Sequence, residues 1–209
     1  MASQFFITGI GTGIGKTLIS AIVAKALNAE YWKPIQAGYG DGTDSEWVKS
    51  VVKNCTIHPE SYKLRLAASP HIAAREEGLN ISVQKIAREM PSKNRNLIIE
   101  GPGGLMVPLN DHEFVTDLIK ALNVKVILVS RNYLGSINHS LTSSELCKQR
   151  NIPVIGWVFN DQYLSYEQDI VSWSGIPGIG SVPFCDKINE LFITEQADLF
   201  RERLATFYD

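Results

Sequence analysis

Between Gly9 and Thr17 the chain reads GIGTGIGKT, four glycines in nine residues that close on a lysine and a hydroxyl residue. Glycines at that density let successive backbone N–H groups turn inward around an anion. A helix starting there adds positive potential, Lys16 supplies a point charge, and the Thr17 hydroxyl can coordinate magnesium. The chemistry is that of a held phosphate. The spacing departs from the common phosphate loop of glycine, four residues and Gly-Lys-Thr. Counting back from Gly15, Ile10 stands where the first glycine is expected, and Gly9 comes one residue early.

Four further positions could act on such a ligand. Lys33 precedes Pro34, which stiffens the backbone where the side chain leaves an apolar run; it reads either as a solvated surface charge or as a cation aimed at the phosphates. Asp44 falls in the first turn of a helix pattern, where an acid stabilises the helix by a few tenths to about 1 kcal/mol without any metal. It is equally a candidate magnesium ligand, directly or through water. Glu100 ends a buried run and is followed by Gly101, Pro102 and Gly103, an opening beside a ligand where nucleotide hydrolases carry the acid of their metal site; a turn that begins with Glu is the alternative. Asn160 and Asp161 are common turn residues, but the Asn amide offers a donor and an acceptor in one plane, which suits the edge of adenine.

Elements must position these residues. Short apolar runs rich in β-branched and aromatic residues recur at QFFITG, AEYWKPI, NLIIEG, KVILVS, PVIGWVF and GIGSVP, with helical patterns between them. Such alternation predicts crossover connections and a mostly parallel central sheet flanked by helices, a three-layer α/β fold of the P-loop NTPase kind. GKTLISAIVAKAL runs on from the glycine loop. TDSEWVKSVV has Thr43 and Glu46 at capping-box spacing, and SPHIAAREEG has Ser69, Pro70 and Gly78 at its start and stop. TEQADLFRERLATFY is a further helical pattern with little motif content. In an open parallel sheet ligands bind beyond the carboxyl ends of the strands, where all the candidates above fall.

The 209 residues suit one domain spanning 1–209. A net charge of −2 argues against nucleic acid or an anionic membrane as the main partner, since those need clustered Lys and Arg. Cys55, Cys147 and Cys185 lack the paired spacing of a zinc or redox site and read as reduced, mostly buried thiols. The start shows no basic stretch followed by a long apolar run, so a cytoplasmic location is expected.

Taken in order, GIGTGIGKT, WKPIQAG, SPHIAA, EGPGGLMVPL, LGSINH and GWVFND resemble the dethiobiotin synthetase family, from the N-terminus to about Phe184. That family's phosphate loop is one residue longer, with five residues between its glycines, which puts Gly9, Gly15, Lys16 and Thr17 in register. The resemblance implies a homodimeric ligase of biotin biosynthesis, a cyclo-ligase that converts 7,8-diaminononanoate, carbon dioxide and MgATP to dethiobiotin, ADP and phosphate. It also implies roles. Gly13, Ile14, Gly15, Lys16, Thr17 and Leu18 wrap the phosphates; Thr17, Asp44 and Glu100 hold magnesium; Lys33, Lys16 and Thr12 face the reacting groups, with Lys33 the catalytic lysine. Asn160, Asp161, Val182, Pro183 and Phe184 frame adenine, while Ser136, Ile137 and Asn138 receive the carboxylate of a substrate bound to the neighbouring subunit.

Three departures stand out. Gly13 replaces an acid common in the family's loop, Ala37 replaces a hydroxyl residue that would touch the substrate, and Pro102 replaces a small residue. His71 and His139 are given no catalytic role. Competing readings are a nucleotide-driven switch of the partitioning or septum-positioning type, a cobalamin-pathway amidating enzyme and a small-molecule kinase. The switch proteins carry a lysine five residues before the loop lysine, where this chain has Gly11, and the amidating enzyme needs a glutaminase domain that this length does not hold.

Overall fold

The computed structural model describes residues 2–92, 94–161 and 164–206. The first apolar run forms β1 (Gln4–Gly9), and the glycine loop hands over to α1 (Lys16–Ala26). There follow β2 (Glu30–Trp32), β3 (Ile35–Ala37), α2 (Asp44–Val51), β4 (Ile57–His58), β5 (Tyr62–Leu64), α3 (Pro70–Glu76) and α4 (Val83–Glu89). The second half runs through β6 (Leu97–Glu100), α5 (Val115–Leu122), β7 (Lys125–Arg131), α6 (Ser136–Gln149), β8 (Val154–Asn160), α7 (Glu167–Ser174), β9 (Gly178–Val182) and α8 (Glu190–Ala205).

Seven strands lie side by side in the order β4, β2, β6, β1, β7, β8, β9, each pair parallel. The chain fills the sheet on one side of β1 through β6, then moves to the other side for β7, β8 and β9. The carboxyl end of β1 therefore lies at the reversal of direction, the place where open parallel sheets bind ligands. Successive strand residues point to opposite faces. Phe6, Ile99, Leu128 and Phe159 enter one core with α3, α4, α5, α6 and α7. Phe5, Ile7, Ile98, Ile127 and Val129 enter the other with α1, α2 and α8. Strands apolar on both faces thus have a helical layer on each side, as the sequence pattern predicts.

One apolar run divides. Within AEYWKPI the strand ends at Lys33-Pro34, as the sequence predicts: β2 stops at Trp32, Lys33 leaves the sheet, and Pro34, which has no N–H to donate to a ladder, turns the chain into β3. The Pro34 carbonyl accepts from the Tyr62 N–H at 3.0 Å, starting a separate two-stranded parallel sheet of β3 and β5.

Helix starts follow the sequence more closely. Thr43 accepts from the Glu46 N–H, and the Glu46 carboxylate accepts from the Thr43 N–H, the reciprocal capping box at α2. At α3 the Ser69 side chain makes no cap to the backbone and meets His71 Nδ1 at 3.0 Å instead. The last helical pattern forms α8, with its final residues Phe207 and Tyr208 outside the described range. Of the three cysteines only Cys147 is buried; Cys55 and Cys185 are half-buried.

Candidate active site

Gly9 has a packing reason to be glycine. A Cβ there would lie 2.0 Å from the Val129 carbonyl oxygen, so the ends of β1 and β7 close together only without a side chain. Gly15, with φ of +87°, turns the chain into α1, and the Asn160 amide occupies the space its Cβ would need. Helix α1 starts with no acidic residue in its first turn and no side-chain cap, which leaves its N–H groups open to an anion. Lys16 folds back across the loop, and its ammonium donates to the Gly11 carbonyl at 2.6 Å. Burial, with Lys33 nearby, pulls its pKa down to about 8 against the opposing pull of Glu100 and Asp44.

Glu100 ends β6 beside the loop and is 1% exposed. Its Oε1 accepts from the Thr17 hydroxyl at 2.9 Å and from the Lys33 ammonium at 2.8 Å, and its Oε2 accepts from the Tyr31 hydroxyl at 2.9 Å. Lys33 also donates to Asp44 at the start of α2. Burial pulls the Lys33 pKa down, but the two carboxylates and their hydrogen bonds outweigh it, so the net shift is upward and the side chain stays cationic. Asp44 is fixed from behind, its N–H donating to Gln36 Oε1 at 3.3 Å.

These groups open on one cleft of about 650 Å³. Thr12, Gly13, Gly15, Lys16 and Thr17 line it from the loop and the start of α1, Lys33, Ala37, Asp44 and Glu100 from neighbouring elements, and Pro102, Gly103 and residues 67–70 complete the lining. Other predicted residues have different surroundings. Ile14 is buried in the core and Leu18 packs against it, so each can offer a phosphate its backbone alone. The Gly101 N–H donates to the Ile7 carbonyl, and the residue backs onto the Phe6 ring.

The remaining candidates gather across the loop, at the ends of β7, β8 and β9. Asn160 donates to the Ile14 carbonyl at 3.0 Å, Asp161 pairs with Arg131 at 2.9 Å, and the Asp161 N–H donates to the Val182 carbonyl. Val182 is buried, whereas Pro183 and Phe184 are exposed. Ser136 is buried at the start of α6 and bonds to the Tyr166 hydroxyl, Ile137 packs on the core and Asn138 is exposed; none of the three lines the Lys33 cleft.

A family profile described as AAA domain matches residues 3–191. Over 207 residues the chain is 44% identical to the ATP-dependent dethiobiotin synthetase BioD of Christiangramia forsetii, covering 98% of this chain and 99% of that protein. The chain belongs to the ATP-dependent dethiobiotin synthetase family. The protein of the same name from Cytophaga hutchinsonii is 52% identical over 160 residues, 75% of this chain and 76% of that one. Two solved structures share the fold alone. A ParA family ATPase from Chlorobium tepidum has a TM-score of 0.59 at 16% identity, covering 99% of this chain and 93% of that one. The septum site-determining protein MinD from Pyrococcus horikoshii, solved with Mg-ADP, has a TM-score of 0.61 at 13% identity over 100% and 97%. Position 11, where the switch reading needs a lysine, is a glycine whose carbonyl holds Lys16.

As a dethiobiotin synthetase family member the chain would use magnesium, and its donor set suits that ion. Among the described residues no group of three or more His, Cys, Asp or Glu side chains forms a metal cluster. What converges is one hydroxyl and two carboxylates, hard oxygen donors: Asp44 and Glu100 already hold a cation, the Lys33 ammonium, and the Thr17 hydroxyl bonds to Glu100. A magnesium that keeps waters and phosphate oxygens in its shell asks for no more from the protein.

Sequence reasoning missed three side chains here: Tyr31 behind Glu100, Gln36 behind Asp44, and Arg131, which donates to the Gly13 carbonyl at 3.4 Å while pairing with Asp161. Tyr31 and Arg131 have a retrospective signal: a tyrosine two residues before Lys33 shares its strand face, and an arginine ends an otherwise apolar strand.

Proposed function

We propose that this chain is an ATP-dependent dethiobiotin synthetase, a single-domain ligase that closes the cyclic urea of dethiobiotin from 7,8-diaminononanoate and carbon dioxide, releasing ADP and phosphate. The observation that carries the reading is the convergence of Lys16, Thr17, Lys33, Asp44 and Glu100 on one cleft, in a chain with close full-length relatives of that name. One amine of the substrate adds to carbon dioxide and loses a proton, giving a carbamate. The carbamate oxygen takes the γ-phosphoryl group, with ADP leaving, and the second amine then attacks the carbonyl carbon and expels phosphate.

The protein contributes position and charge. The loop amides and the open end of α1 receive the phosphates, with Lys16 turning from Gly11 to the β and γ groups. Thr17, Asp44 and Glu100 would hold magnesium, whose charge would offset that of the phosphates. Lys33, held by Asp44 and Glu100, faces the carbamate and the transferring group, where its fixed cation offsets developing negative charge. Thr12, lining the same cleft, faces these reacting groups with Lys33.

Asn160, Asp161 and Val182 to Phe184 frame the base, with Phe184 exposed and ready to cover it. Ser136, Ile137 and Asn138 serve a substrate held in a partner's cleft, which makes the working unit a homodimer; Leu134, 89% exposed beside them, suits such a contact. Dependence on ATP and three unpaired thiols suits the cytoplasm.

The test is ADP release with and without diaminononanoate and with and without bicarbonate. Turnover is expected only with both. Turnover indifferent to either would support a nucleotide switch, and turnover that needs the diamine but no carbon dioxide would support a kinase.

A further inference from the structure

Tyr31 is fully buried on β2, two residues before Lys33. The pairing of β2 with β6 sets Tyr31 beside Ile98 and Trp32 beside Ile99; Lys33 follows the end of β2 and its ammonium reaches Glu100 at 2.8 Å. Side chains alternate along a strand: Tyr31 and Ile98 lie on the face covered by α1, and Glu100, two residues after Ile98, shares it. From below, the Tyr31 hydroxyl donates to Glu100 Oε2 at 2.9 Å, while Oε1 takes Thr17 and Lys33 at the cleft. The two oxygens of one buried carboxylate are thus divided, one to the protein interior and one to the site. Packing alone would be met by phenylalanine at position 31. The hydroxyl is what the carboxylate needs, because an unpaired oxygen of a buried charge has no water to turn to.

We infer that Tyr31 is a positioning residue for the reaction: its hydroxyl holds Oε2 of Glu100 and so keeps Oε1 turned toward Thr17, Lys33 and the magnesium of a bound nucleotide. The inference rests on the reading of Glu100 as the acid of the metal site. Tyr31 touches neither substrate nor nucleotide, and its effect reaches them only through Glu100.

Calorimetric titration with ADP in magnesium and with ADP in EDTA, on the wild-type protein and on Tyr31→Phe, separates the possibilities. For the wild type, magnesium is expected to tighten binding. In Tyr31→Phe the magnesium-dependent affinity should fall about tenfold, with metal-free affinity held within about twofold. A wild type indifferent to magnesium would undo the reading of Glu100 itself. A magnesium-sensitive wild type whose sensitivity survives in Tyr31→Phe would overturn only the role of Tyr31, as would an equal loss with and without the metal. In a Glu100→Gln background the Tyr31→Phe change should have no further effect on MgADP binding, and a full additional loss would show that Tyr31 acts elsewhere. Should Tyr31→Phe not fold, a crystal structure of the wild type with MgADP decides: the hydroxyl is expected on the Glu100 oxygen turned from the metal, and a hydroxyl bonded to any other group overturns the proposal.

Discussion

The two sides of the phosphate loop are built differently. Toward β2 and β6, Lys33 and Glu100 are nearly inaccessible and hold one another, buried Tyr31 and half-buried Thr17 and Asp44 in a single network. Toward β7, β8 and β9, the Arg131 side chain is 45% exposed, Phe184 is 67% exposed, and the Arg131–Asp161 pair lies at the surface. Groups that face changing charge are fixed in advance by burial, where a charge acts strongly and needs no reorganisation. Groups that only recognise a base or a substrate tail remain open, to be completed by the ligand or a second subunit. Lys16, between them, belongs to the first side by burial and has its pKa pulled down to about 8.

Substitutions should separate the two sides by size of effect. Lys16→Ala should lower kcat/KM on the order of 10²–10³-fold, since it removes a preorganised cation from the phosphates; steady-state kinetics with MgATP measure it, and a loss under tenfold would move Lys16 out of the buried side.

The same lysine gives a pH signature. Its folded pKa lies below the unfolded value, so the folded state holds fewer protons between about pH 8 and 10.5, and this group's contribution to stability rises with pH across that window. Phosphate binding has the opposite sign, because it needs the charged lysine. MgADP affinity should therefore fall as pH passes about 8, and binding there should take up protons, readable by calorimetry in buffers of different ionisation heat. Affinity flat from pH 7 to about 9.5 would contradict it.

Phe184→Ala should weaken adenine nucleotide binding roughly tenfold, the scale of one base stacked on an aromatic ring, and change unfolding stability by no more than about 0.5 kcal/mol. A comparable loss for nucleoside-free triphosphate would remove Phe184 from the base site. The smallest effect is expected at Arg131→Ala, where an exposed ion pair contributes about 0.2–1 kcal/mol and weakens with added salt. Denaturant melts at low and high salt measure it; a loss of several kcal/mol would mean that Arg131 is a structural clamp on the loop.

The legibility of the molecule follows the same division. The glycine loop, the Thr43–Glu46 capping box and the parallel sheet are local or periodic features, and chemistry within a few residues dictates them. Lys33 and Glu100 were readable as candidates because each ends an apolar run. That they meet is a matter of register, since β2 lies next to β6 across 67 residues of chain, and no local pattern encodes that adjacency. The end of the strand at Lys33-Pro34 was legible from the proline, but the second sheet that starts just beyond it was not, because Tyr62, whose N–H takes the Pro34 carbonyl, is remote in sequence. Tyr31 escaped notice because a tyrosine in an apolar strand is ordinary core until the facing residue is known to be a carboxylate. The thiols read as mostly buried proved so only for Cys147, as spacing carries no information on depth.

Lys33→Gln tests the buried side most directly. Its sequence position suggests a loss of activity alone, but removing the cation that pairs with buried Glu100 and half-buried Asp44 leaves the Glu100 charge uncompensated, so the metal-free variant should also be destabilised by about 3–5 kcal/mol and be restored in part by MgADP. The decisive quantity is kcat at saturating MgATP, diaminononanoate and bicarbonate, measured beside MgADP affinity on the same preparation. The expected result is a fall in kcat of about 10²–10³-fold with MgADP affinity retained. A kcat within about tenfold of wild type, or a loss accounted for by failed nucleotide binding, would contradict the assignment of Lys33 to the reacting group.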